Sequence, residues 1–248
     1  MICAITPPVG VVNQNIILYG TVIMECRNAP SQSRREARRQ SRRDAIIDVA
    51  ARWFLEHGYA GTTMSAIASA VGGSKGTLWS YFPSKEELFS AVLDHATTEF
   101  RAGLSLTLQP AADVADVLHT FCNSFLEKVL SPEAIALSRL VMGEAGRFPE
   151  VGRIFLERGP RRTQKMLGLF LGQEMGRGLL RRDDEILAAQ TLISLCMSRL
   201  HQQMLLGAID VPSPAAIAAE ADRAVDIFMR AYAPPLPAPA RQEEEAPA

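Results

Sequence analysis

The chain is 248 residues long, room enough for a small domain and a medium one. With 48% hydrophobic, 21% charged and 6% aromatic residues, its composition is that of an ordinary folded protein and excludes both a disordered chain and a disulfide-stapled one. A formal net charge of -1, from 26 Lys+Arg against 27 Asp+Glu, excludes a surface that binds polyanions everywhere but leaves room for a local basic patch.

Abundant Ala, Leu and Arg and few β-branched runs predict an all-α fold. Cys3, Cys26, Cys122 and Cys196 are dispersed with no Cys-x-x-Cys pair, so neither a metal site nor a disulfide framework is expected, and a cytoplasmic location fits. The apolar run 16–24 is far short of the ~20 residues that cross a bilayer, so no membrane partner is expected. No Lys or Arg precedes Arg27 to begin a secretory signal. Residues 1–33 are read as an extension outside the fold, with Met24 offering an alternative start.

From residue 31 the character changes. Arg34, Arg35, Arg38, Arg39, Arg42 and Arg43 form a basic arm, and residues 31–85 carry nine Lys+Arg against four Asp+Glu. In a chain that is net negative, this asymmetry suggests one part that meets a polyanion and another that does not. On charge alone a solvated helix face remains open. Residues 44–57 place Ile46, Ile47, Ala50, Phe54 and Leu55 at helical spacing, with Gly58 as the stop. Thr62 or Thr63 caps a second, short helix whose buried side is Met64, Ile67, Ala68 and Val71, ended by Gly72 and Gly73. Ser74 caps a third helix running to Phe82. Pro83 breaks it, and Ser84 with Glu86 and Glu87 starts a fourth, from Lys85 to about Arg101. Two short helices joined by a glycine turn are the helix-turn-helix pattern.

Longer helices follow at 113–130, 133–146, 150–158, 160–178, 185–206 and 215–232, bounded by Pro, Gly and acidic caps. The first of them carries Val114, Val117, Leu118, Phe121, Phe125 and Val129 on one face. Residues 233–248, rich in Pro and Glu, lack the apolar spacing to fold and are expected to be a disordered tail.

The most specific stretch is 62–85, TTMSAIASAVGGSKGTLWSYFPSK. It resembles the DNA-binding domain of TetR-type transcriptional regulators (the TetR/AcrR family), which carry a Thr-capped helix, an Ile-Ala pair, a Gly turn and Ser-Lys-Gly-Thr-Leu-Tyr-x-Tyr-Phe at this spacing. The chain departs from that pattern at Val71, Gly73 and Trp79, where the family usually has Ala, Val and Tyr. The resemblance implies a three-helix DNA-binding domain with a helix-turn-helix at 34–94, then a larger helical ligand-binding and dimerisation domain at 95–232. These residue types suit a major groove, which admits one helix with its start aimed at base edges and phosphates. Ser74, Lys75, Thr77, Trp79 and Tyr81 would face a double-stranded operator, and Gly76 would let the backbone approach it. Leu78 and Phe82 should be core. By the resemblance, Thr63 and Lys85 would clamp flanking phosphates, with Arg42 and the basic arm adding contacts.

The C-terminal part offers no catalytic constellation, cofactor loop or metal-ligand spacing: His119 and His201 lie on different helices, and an enzyme is not expected. Cys122 and Cys196 read as buried small hydrophobes. Phe121, Cys122, Phe125, Met142, Met166, Phe170 and Met197 are candidates to line a pocket for a small hydrophobic effector, with plain core as the competing reading. The resemblance implies a homodimer paired through the last two long helices, for which Leu195, Met197, Leu200, Met204, Ala218, Ala221, Val225 and Phe228 are the apolar candidates. The segment 144–150, continuing to Arg161 and Arg162, is similar to a subgroup of repressors of efflux and stress genes. The expected function is therefore a one-component regulator, a repressor on a palindromic operator, with ligand-driven release acting through the fourth helix as a lever. A regulator independent of small ligands and a helical module without DNA binding are the alternatives.

Overall fold

The computed structural model describes residues 29–72, 74–110 and 113–234, with side chains from Arg34 onward. The expected extension up to residue 28, Gly73 and the tail from residue 235 lie outside the described residues. Every regular element among the described residues is a helix, and none is long and apolar enough to cross a membrane. The described residues fall in two units, 29–40 and 41–234. In the first, the backbone is helical from Ala29, and Arg34, Arg35, Arg38 and Arg39 are exposed.

The second unit is built of helices whose ends follow local signals. Helix α1 (Ala29–Gly61) starts well before the expected Asp44, and Gly58 interrupts it in the left-handed region at φ 72. Thr63 Oγ1 accepts the Ala66 amide to start α2 (Met64–Ala70), Ser74 Oγ accepts that of Thr77 for α3 (Lys75–Tyr81), and Ser84 Oγ accepts that of Glu87 for α4 (Lys85–Thr107). The turn between α2 and α3 passes through Gly72 at φ 70, a conformation that disfavours any side chain. Further helices are α5 (Val114–Val129), α6 (Pro132–Glu144), α7 (Pro149–Arg158) and α8 (Pro160–Gly176).

The single helix expected at 185–206 is not observed. The periodic run 185–206 is two helices, α9 (Glu185–Met197) and α10 (Leu200–Leu205), separated at Arg199, whose backbone leaves the helical region at φ -129, ψ -81. No Gly or Pro marks this break, where Ser198 Oγ donates to the Leu195 carbonyl at 2.9 Å. Helix α11 (Pro214–Tyr232) presents Arg223, which donates to the Leu195 carbonyl at 2.8 Å and to Ser198 Oγ at 3.0 Å. A carbonyl freed by the kink is thereby satisfied. Fully buried Glu220 accepts from Arg199 at 2.8 Å and from Arg223 at 2.5 Å, anchoring both cations.

Two hydrophobic cores result. One joins Ile46, Ile47, Ala50 and Phe54 of α1 to Ile67, Leu78, Phe82, Leu88 and Phe89, and is completed by Val141, Val151 and Ile154 from α6 and α7. Leu55, expected on that stripe, is 41% exposed. Met64 and Val71 only flank the core. The other core is formed by the inner faces of α5, α8, α9 and α11 with the end of α4. His201 is buried beside it, and burial holds its imidazole below the ordinary value of 6.5. The unfolded chain therefore takes up a proton that the folded one resists, so this contribution to stability is full above about pH 6.5 and falls as the pH drops below it. A His201→Gln variant is expected to show a shallower fall in Tm between about pH 7 and pH 5 than the parent, measured by thermal unfolding across that range.

Candidate nucleic-acid interface

The first turn of α3 is presented by its second. Leu78 and Phe82 are each 2% exposed and anchor the helix in the core, which turns Lys75, Gly76, Thr77, Trp79 and Ser80 outward. Trp79 is 41% exposed, an unusual position for so large a ring. Gly76 has no structural need to be glycine: a Cβ built there meets nothing closer than Ser74 Oγ at 3.9 Å, and its φ is not positive. As the second residue of α3, a glycine there adds backbone freedom that Ala would remove.

The Ser74 hydroxyl is committed as the cap, accepting from the Thr77 amide at 3.2 Å and lying 2.9 Å from Thr77 Oγ1. Thr63 is exposed at the start of α2. Thr62 is buried, and its hydroxyl lies 2.7 Å from the Gly58 carbonyl and 3.1 Å from that of Trp53, binding the α1–α2 corner together. Arg42 lines a shallow groove with Ser74 and Thr77, and Arg43 lies 5.2 Å over the Phe82 ring. Tyr81 is half-buried against the same core. Lys85 does not share this face freely: its ammonium lies 4.0 Å from the centroid of the Tyr59 ring.

Helix α4 leads from this region to the second core and is braced there. Asp94 accepts from Arg158 at 2.9 Å and from Arg162 at 2.8 Å, while Arg101 donates to the Arg158 carbonyl at 3.1 Å. None of these partners was singled out by spacing, since they are separated by 57 to 68 positions.

These features are those of a helix-turn-helix reading head, and the comparisons agree. Residues 46–92 match the description "Bacterial regulatory proteins, tetR family", and residues 116–234 match "AefR-like transcriptional repressor, C-terminal domain". The chain belongs to the TetR family of transcriptional regulators. The solved structure named flavonoid-responsive regulator FrrA is 32% identical, with a TM-score of 0.68 over 79% of this chain and 100% of that one. A TetR-family structure from Mesorhizobium loti MAFF303099 is 26% identical, with a TM-score of 0.70 over 79% of this chain and 98% of that one. The transcriptional repressor ComR of Escherichia coli (strain K12) is 42% identical over 91 residues, 35% of this chain and 43% of that protein. The chain thus spans less than half the length of that curated relative.

In the TetR-type C-terminal part, several expected residues are placed differently. Phe121, Cys122, Phe125 and Phe170 are buried together, and Met166 and Met197 pack on them, but Met142 is 70% exposed on α6 and joins no lining. The buried residues of α6 are instead Ile135 and Val141. Cys122 and Cys196 meet in this core: a hydrogen bond with Cys196, and then burial, push the Cys122 thiol well up, which suits an unreactive core position. Met204, Ala221, Val225 and Phe228 are buried within the subunit, so they are not available to a partner. Leu195 and Leu200 are partly buried on the same core, and Ala218 is exposed. The periodicity of α11 correctly marked an apolar face, but that face serves its own subunit. Ser74→Ala is expected to lower stability by about 1 kcal/mol through loss of the α3 cap, read as a lower denaturant midpoint with an unchanged m-value.

Proposed function

We propose that the protein is a repressor that binds a palindromic operator as a homodimer and is released by a small hydrophobic effector. The carrying observation is Gly76, a first-turn glycine of α3 that no internal contact requires, set beside exposed Lys75, Thr77 and Trp79 on a helix fixed from behind by Leu78 and Phe82. Such a surface suits insertion into a major groove, with Lys75 and Tyr81 toward phosphates, Thr77 and Trp79 toward base edges, and Thr63 and Arg42 on the flanks.

Homodimerisation fits α9 and α11, on which Leu187 is 53% and Ile227 38% exposed. An apolar effector fits a core where the Phe121 and Phe125 rings lie parallel, 5.9 Å apart. A 32% identical relative is named for responding to flavonoids, which are small ring compounds. Release would follow if the effector binds best a conformation in which the two heads are wrongly spaced for successive grooves.

The test is binding of the purified protein to the DNA flanking its own gene against a scrambled duplex, at two salt concentrations. Selective binding that weakens with salt supports the reading, and weak binding equal on both duplexes counts against it. Lys75→Ala is expected to weaken operator binding and to flatten its dependence on log salt by about 0.9 for each phosphate no longer neutralised. Gly76→Ala is expected to do the opposite to two properties at once: raise thermal stability by up to about 1 kcal/mol and weaken operator binding. A Gly76→Ala protein that is both more stable and equally tight on DNA would remove the groove-facing role.

A further inference from the structure

Helix α1 kinks shortly before its end, and a distant helix meets it there. Gly58, at φ 72 and ψ 174, lies outside the helical region. Residues after such a kink begin a fresh turn, whose first amides need acceptors from elsewhere. Glu144, the last residue of α6, supplies one: its Oε1 accepts the Ala60 amide at 3.1 Å across 84 positions. A Cβ on Gly58 would fall 2.7 Å from that same oxygen, so the glycine is required both by its left-handed backbone and by the room the carboxylate occupies. The carbonyl side of the corner is met by Thr62, whose hydroxyl lies 2.7 Å from the Gly58 carbonyl and 3.1 Å from that of Trp53. Apolar contacts flank the tie. Phe148, which precedes α7, meets the Tyr59 ring edge-on at 5.4 Å, and Val141 and Val151 lie in the core of the head. The segment 144–150, distinctive in the sequence, thus meets the head at the end of α1.

We propose that Glu144 is a positioning residue of the reading head: by holding the Ala60 amide beside the Gly58 kink it fixes the α1–α2 corner, and with it α2 and α3, in the orientation that discriminates an operator. The proposal rests on the reading of α3 as the operator-facing helix. Ala60 is three residues before Thr63, which caps α2, and α2 shares a core with α3 through Ile67 and Leu78. The helix that carries Glu144 is itself anchored in the C-terminal part, where Arg139 donates to the carbonyls of Met204 at 2.5 Å and Leu205 at 3.0 Å at the end of α10. The carboxylate acts here as the acceptor of one hydrogen bond and not as a charge. A negative group beside the head opposes the approach of a polyanion, so its benefit lies in the geometry it holds.

The experiment uses the full-length protein and three variants that separate reach from charge. Glu144→Gln keeps an oxygen acceptor at the same length and loses the charge, Glu144→Asp keeps the charge on a shorter side chain, and Glu144→Ala loses both. Two quantities are read: hydrogen exchange of the backbone amides at 58–63, and the ratio of affinities for the DNA flanking the protein's own gene and for a scrambled duplex. Loss of the bond predicts exchange at Ala60 faster by about fivefold in the Ala and Asp variants, with Gln near the parental rate. It predicts a ratio that falls severalfold in Ala and Asp and is kept in Gln, the fall coming from weaker selective binding while the scrambled duplex is bound as before. A role as a charge orders the variants differently: Asp would match the parent, and Ala and Gln would bind both duplexes more tightly. A role in packing alone would lower Tm without moving the ratio. Either pattern, or exchange at Ala60 that Glu144→Ala leaves unchanged, overturns the proposal. Should Glu144→Ala not fold, the contrast between Asp and Gln decides by itself. A parent protein that binds both duplexes equally would overturn the operator reading instead, and exchange at Ala60 would still decide whether Glu144 holds the corner.

Discussion

Tyr59 occupies the point where the reading head and the C-terminal helices share one hydrophobic core, and the placement of α3 depends on its burial there. Its ring contacts Phe54 at 5.8 Å, Phe89 at 5.4 Å and Phe148 at 5.4 Å, bringing α1, α4 and the α6–α7 corner onto a single aromatic residue. A buried phenol needs a partner for its hydroxyl, and Glu86 supplies it. Burial first, then the charge of Glu86, raises the phenol's pKa, so the group stays a neutral donor. With Val141, Val151 and Ile154 also in this core, the head is not an independent module on a flexible stem. Its orientation is set by the same helices that enclose the C-terminal core.

The head spends stability on its outer face and recovers it on its inner one. Leu78, Phe82 and Ile67 are almost wholly buried, whereas Gly76 and Trp79 leave a bare backbone and a large ring toward solvent. This division is what a surface selected for an external partner requires, because residues tuned for DNA are released from packing. In the C-terminal part, buried polar groups are similarly purposeful. Glu220 is completely buried yet satisfied by two arginines, and the network holds open a break in an otherwise continuous helix. Such an arrangement confers a defined geometry more than net stability.

Much of the head was legible because its determinants are local. Thr63, Ser74 and Ser84 each cap a helix three residues before the amide they bind, and Gly72 permits a turn that other residues resist. The outward-facing residues of α3 follow from these, since knowing that Leu78 and Phe82 point inward fixes where Lys75, Gly76, Thr77 and Trp79 point. Family membership rests on this same stretch together with the match at 116–234.

What the chain alone determined, then, was the helical class, the capped helix starts and which face of most helices is apolar, because all three are set by neighbours within a few positions. What only the tertiary structure decided was the partner of each face. Periodicity cannot say whether Phe228 packs on its own subunit or another, nor that Met142 points to solvent while Val141 beside it is buried. It could not reveal that Arg223 on α11 donates to the Leu195 carbonyl beside the helix break at Arg199, or that Glu144 on α6 accepts the Ala60 amide near the end of α1. Those choices are made by side chains brought together from distant positions, and their energies exist only once the helices have packed.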